Sequence, residues 1–249
     1  MMRLALCVWM MFACLPEVSC KNYYALLVGI SNYGVDSLNL SSPNNDAKRL
    51  YNVLGKDSQY VRSMILNRHA TKKVVLSELL KIIRAAKSDD CIVFFFAGHG
   101  EDGYLLMADR KKAYYKELIA LLKQTKAQHV YCYIDACYSG SIKKQFDSQD
   151  NLLKLSGVNF VMACRENQLA AESRWIGHGF FSQALSKGLN GKADKDGNGL
   201  ITLQELYNYI RSDVTTRGEK LDVSQTPQLI ASKKSLNSVV FHHKKRIVN

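Results

Sequence analysis

Asp135-Ala136-Cys137-Tyr138-Ser139-Gly140 closes the apolar run Val130-Tyr131-Cys132-Tyr133-Ile134. Upstream, Ile92-Val93-Phe94-Phe95-Phe96 closes in the same manner, in Ala97-Gly98-His99-Gly100. Both runs are short, rich in β-branched and aromatic residues, and halted by small residues, the pattern of a strand buried on both faces of a parallel sheet. Between them, Tyr115-Lys116-Glu117-Leu118-Ile119-Ala120-Leu121-Leu122-Lys123-Gln124 carries apolar residues suited to a crossover helix. A strand–helix–strand unit of this size sets its strands side by side, parallel and right-handed. His99 and Cys137 then stand at the carboxyl ends of neighbouring strands, where open α/β sheets build their sites. An imidazole beside a thiol makes a nucleophile with its base.

The same alternation continues on both sides. Strands are expected over 23–30, 61–66, 158–164 and 236–242, and helices over 44–54, from Thr71 to about 86, 179–189 and 203–213. A hairpin is expected around Asp102-Gly103, and polar loops over 31–43 and 139–156. With 249 residues, 47% of them hydrophobic, and only 3 prolines, the chain has material for one full core and no long disordered tract. The expectation is a single α/β domain with a mostly parallel sheet flanked by helices.

The N-terminus differs in kind. Arg3 is followed by an uncharged run over 4–15 and then by Pro16-Glu17-Val18-Ser19-Cys20, the layout of a signal peptide over residues 1–20. Ser19-Cys20 also reads as a lipoprotein cleavage site, so plain secretion and a lipid anchor at Cys20 both stay open. No other run reaches the roughly 18 apolar residues of a membrane span. Of the remaining cysteines, Cys91, Cys132 and Cys164 read as small core hydrophobes. The net charge of +12 comes from scattered residues, with clusters only at Arg110-Lys111-Lys112 and His242-His243-Lys244-Lys245-Arg246, the second running into a basic tail over 244–249. No aromatic-plus-basic motif accompanies them, so nucleic acid is not expected as a partner.

Several of these pieces taken together resemble the caspase-like cysteine peptidases, in their metacaspase-like and paracaspase-like branch. They are Tyr24-Ala25-Leu26-Leu27-Val28-Gly29-Ile30, Asn45-Asp46-Ala47, Phe96-Ala97-Gly98-His99-Gly100, Asp135-Ala136-Cys137-Tyr138-Ser139-Gly140 and Gln225-Thr226-Pro227-Gln228, in the family's order and over residues 22–243. The resemblance implies a caspase-like three-layer sandwich. It implies that Cys137 attacks the scissile carbonyl, that His99 handles the proton, and that the amides of Gly100 and Cys137 form the oxyanion hole. Ser139 and Ser141 are rival nucleophiles in principle, but neither stands at the strand-to-turn junction.

By the same resemblance Asp135 and Asp46 line the pocket for the residue before the cleaved bond. Two carboxylates buried together repel, and a substrate Arg or Lys relieves the repulsion. The plainer alternative makes Asp46 a helix N-cap and Asp135 a turn former. The chain departs from the branch at Ala97, where serine is common. The acidic cluster through which many metacaspases bind calcium is not recognisable, which leaves calcium dependence by that route without a basis.

Asp194-Lys195-Asp196-Gly197-Asn198-Gly199-Leu200-Ile201-Thr202-Leu203-Gln204-Glu205 fits a twelve-residue EF-hand loop, with Asp194, Asp196, Asn198, the Leu200 carbonyl and Glu205 as calcium ligands. Against it stand the missing second loop and the short preceding helix; a turn capping the next helix accounts for the same residues. The dyad itself requires no cofactor. The expected function is an exported cysteine endopeptidase acting on proteins or peptides after Arg or Lys, processing itself at Lys143, Lys144 or Lys154. The alternatives are a silent caspase-fold scaffold and a basic surface protein that binds anionic polymers.

Overall fold

Consecutive apolar residues at alternating faces need cover on both sides, and helices packed on the two faces of the sheet provide it. The computed structural model describes residues 19–146, 157–168, 172–173 and 178–243. The chain enters through β1 (Tyr23–Gly29), α1 (Pro43–Leu54), β2 (Tyr60–Leu66), α2 (Lys72–Ala85) and β3 (Cys91–Ala97). A small antiparallel ribbon follows: β4 (Gly100–Glu101), β5 (Tyr104–Leu106) and β6 (Lys112–Tyr114). Then come α3 (Tyr115–Leu122), β7 (His129–Asp135), a 3-10 segment (Ser139–Phe146) and β8 (Val158–Met162). The C-terminal part holds β9 (Glu172–Ser173), β10 (His178–Gly179), α4 (Phe180–Lys187), β11 (Leu200–Thr202), α5 (Leu203–Lys220), β12 (Gln228–Ile230), α6 (Lys233–Leu236) and β13 (Val239–His242).

The main sheet has the order β12-β8-β7-β3-β1-β2. All its pairs are parallel except β12 against β8 at the edge. Alternation along β1 shows the layering. Tyr23, Ala25 and Leu27 join one core with α1, α4 and α5, while Leu26 and Val28 join a second core with α2 and α3. The caspase-like three-layer sandwich with a mostly parallel central sheet is the observed fold.

Several boundaries differ from expectation, each for a physical reason. α1 begins at Pro43 rather than Asn44, because the fixed φ of proline suits the first helical position. Asp46 therefore lies inside the first turn, its amide bonded to the Ser42 carbonyl at 3.0 Å, and is not the N-cap. α5 runs to Lys220, since buried Leu206, Ile210, Val214 and Gly218 extend a four-residue stripe through a polar-looking tail. The first half of the expected loop over 139–156 is the 3-10 segment, with Ser139, Ser141 and Ile142 buried. Ser141 accepts the Gly103 amide at 3.1 Å, and Ser139 lies 3.5 Å from the Cys164 sulfur, so both hydroxyls serve packing.

One covalent feature was missed. Cys20 and Cys91 form a disulfide with Cα atoms 5.7 Å apart. Cys91 is buried as expected but is not a plain hydrophobe, because it ties residue 20 to the start of β3. A lipid thioether on Cys20 needs the same sulfur, so the disulfide and the anchor exclude each other at one atom. Cys132 and Cys164 are free and buried, as read. Residues 1–18 of the expected signal peptide, the expected processing residue Lys154 and the expected tail over 244–249 lie outside the described residues. Among the described residues no helix is long and apolar enough to cross a membrane.

Candidate active site

Register places the dyad. β3 and β7 pair in parallel from Cys91 opposite His129 to Ala97 opposite Asp135. Two residues beyond that last pair stand His99 on one strand and Cys137 on the other. Both line one cavity of about 80 Å³, together with Asp46 and Asp135.

The loop between β1 and α1 holds His99. Its amide donates to the Tyr33 hydroxyl at 2.8 Å, and the two rings lie 5.0 Å apart. Its Nε2 lies 2.9 Å from the Leu38 carbonyl. A carbonyl only accepts, so Nε2 carries the proton and Nδ1 is left as the ring's acceptor. Neither Tyr33 nor Leu38 carried a readable signal; an aromatic in a polar loop was the only trace.

The Cys137 turn is strained. Tyr138, directly after the nucleophile, sits in the left-handed region at φ 53° with its amide donated to the Gln168 carbonyl at 3.0 Å. A non-glycine residue there is held by its surroundings, and such positions gather at functional sites. Gly100 meets this turn closely: a Cβ on it would lie 2.7 Å from the Cys137 carbonyl oxygen and 2.8 Å from the Ala136 Cβ. The glycine after the histidine is thus required by approach of the two turns, whatever its amide does. Among the free cysteines of the described residues, Cys137 alone is partly exposed. Burial pushes the Cys132 and Cys164 thiols up, which leaves them inert.

Asp46 and Asp135 are only 2% and 8% exposed. The start of α4 makes that burial tolerable. Asp46 accepts the Gly179 amide at 3.2 Å, and Asp135 accepts both the Ser182 amide at 3.1 Å and the Ser182 hydroxyl at 2.5 Å. The first turn of a helix offers unsatisfied N–H groups and a positive end, and these two carboxylates take them. A Cβ on Gly179 would lie 2.7 Å from one Asp135 oxygen and 3.4 Å from one of Asp46, so the two acids converge on a glycine. Ser182 was not foreseen. It brings a hydroxyl to Asp135 although Ala97 stands where a serine was expected.

A family model of the caspase domain, from a peptidase family, matches residues 22–237. The chain belongs to the caspase family. A solved structure of a protein from Geobacter sulfurreducens shares this caspase fold with a TM-score of 0.64 at 18% identity, over 89% of this chain and 98% of that one. No curated protein matches the chain. In this caspase domain Asp194, Asp196 and Glu205 do not line the cavity. They lie past the far end of α4, where one carboxylate oxygen from each comes within 4.8 Å of the others.

Proposed function

We propose that this caspase domain is a cysteine endopeptidase cleaving after Arg or Lys. The observation that carries the reading is the β3–β7 register, which sets His99 and Cys137 on one cavity with two buried carboxylates. His99 Nδ1 takes the thiol proton, and the thiolate of Cys137 attacks the scissile carbonyl. The amides of Gly100 and Cys137 receive the oxyanion. His99 then protonates the departing amine, leaving a thioester. Water, giving its proton to His99, hydrolyses that thioester and returns the thiol. Asp46 and Asp135, preorganised by α4, offer the substrate cation a negative wall in a site shielded from water.

The test is a panel of fluorogenic peptides with Arg, Lys, Asp or Ala before the cleaved bond, run on wild type and Cys137→Ala. Cleavage after Arg and Lys by wild type alone supports the reading. Absence of cleavage of every peptide favours a silent scaffold, and salt-sensitive polyanion binding that survives Cys137→Ala favours the polymer-binding reading.

Self-processing is proposed with a narrower target. Lys143 is bonded to the Gln228 side chain and Lys144 to Asp102 at 2.7 Å, both within the 3-10 segment. Cutting there requires unwinding it, which favours Lys154. We also infer export without a lipid, because a disulfide at Cys20 suits an oxidising compartment. Intact mass of the mature protein distinguishes a disulfide from a diacylglyceryl thioether at Cys20.

A further inference from the structure

The proposed chemistry leaves the loop from Asp194 to Glu205 unused. Three carboxylate oxygens converge there, but convergence of acids alone demands nothing. The demand comes from one atom. Asp194 Oδ2 accepts the Gly199 amide at 3.1 Å, whereas Asp194 Oδ1 is shielded from solvent without a hydrogen-bond partner. A shielded carboxylate oxygen with no donor is costly unless a cation completes it.

The rest of the donor set points the same way. Gly199, at the sixth position, takes φ +87°, the sharp turn such a loop requires. Glu205 Oε1 accepts the Lys195 amide at 3.2 Å and keeps a second lone pair. With Asn198 and the Leu200 carbonyl, every offered ligand is oxygen, which selects a hard cation over a transition metal. The missing second loop is also answered. β11 pairs antiparallel with β13, Ile201 opposite Phe241, and the His243 amide donates to the Gly199 carbonyl at 2.8 Å. β13 thus occupies the place that a partner loop would fill.

The loop also sits on the support of the pocket. α4 begins at Gly179 and Ser182, which hold Asp46 and Asp135, and leads through the turn Gly188–Lys192 to Asp194. α5 starts beside the loop and clasps α4: Arg217 donates to the Phe180 carbonyl and to the Gln183 side chain, each at 2.7 Å.

We propose that Asp194, Asp196, Asn198, the Leu200 carbonyl and Glu205 bind one calcium ion, and that this ion steadies the α4–α5 pair under the pocket. The test needs no turnover, so it stands apart from the peptidase reading. The full chain carrying Cys137→Ala is melted in chelator and then in calcium chloride. With a dissociation constant on the order of 10⁻⁴–10⁻³ M, about 10 mM calcium should raise Tm by roughly 4–8 °C. Asp196→Ala, at an exposed position, and Glu205→Gln, which keeps the helix cap, should each lose most of that rise. Hydrogen exchange at the Gly179 and Ser182 amides should slow with calcium. No rise, or an equal rise in both variants, overturns the site. A rise with unchanged exchange at Gly179 and Ser182 overturns the coupling to the pocket.

Discussion

α4 has carboxylates at both ends, held in opposite ways. At its start, Asp46 and Asp135 are buried and accept amides from the first helical turn. Beyond its end, Asp196 is exposed and Asp194 keeps a shielded oxygen with no donor. The first arrangement has protein dipoles aimed at the charge, and in the function proposed above it receives the cation of a substrate side chain. The second lacks such donors on one oxygen and suits a small ion drawn from solution. Carboxylate count does not separate the two regions; the source of their hydrogen-bond donors does.

The comparison breaks most visibly at the dyad. His99→Ala and Cys137→Ala should each lower kcat/KM by on the order of 10⁴-fold, with the double variant no worse than the worse single. Both should retain the calcium-dependent rise in Tm, because that site lies past the far end of α4. Residual turnover near wild type in either variant contradicts the dyad. A smaller effect separates pocket support from pocket wall. Ser182→Ala removes the hydroxyl from Asp135, and a hydrogen bond to a charged group is worth about 1.5–3 kcal/mol. KM for an Arg peptide should rise about tenfold or more while kcat changes little. An unchanged KM makes that hydroxyl irrelevant to binding.

The smallest effect concerns the strand beside the loop from Asp194 to Glu205. Burial alone would raise the Asp57 pKa, but hydrogen bonds from the His242 ring, the Gln59 amide and the His242 amide, with the nearby His242 charge, hold it below the ordinary 3.8. A folded value below the unfolded one means the stabilisation is present above about pH 4 and is lost as pH falls through the lower folded value. Asp57 grips β13, so its protonation loosens the partner of β11. Asp57→Asn should flatten the acid side of the Tm-versus-pH curve; an unaltered acid limb removes Asp57 as its cause.

Legibility in the sequence followed locality. His99 and Cys137 were readable because each ends a contiguous apolar run, and one crossover ties the runs into adjacent strands. The EF-hand loop was readable as a single string. Asp46 and Asp135 came only through family resemblance, and their bonding to Gly179 and Ser182 was hidden, since those partners lie far along the chain in a helix with no pocket signature. The Cys20–Cys91 disulfide was obscured because residue 20 read as a processing site and residue 91 as strand core. β12 was too short to show a period, and the true length of α5 was masked by polar residues on its outer face.

The central claim is that the two buried carboxylates select a cationic substrate residue. The measurement is the ratio of kcat/KM for two peptides differing only in Arg or Asp before the cleaved bond, in wild type and Asp135→Asn, with calcium present throughout. Wild type should favour Arg strongly. In the variant, kcat/KM for Arg should fall about 10²–10³-fold and the ratio should collapse, as expected when one partner of a desolvated charge pair is neutralised. A wild type that cleaves the Asp peptide as well as the Arg peptide, or a variant whose Arg preference is unchanged, would contradict the account.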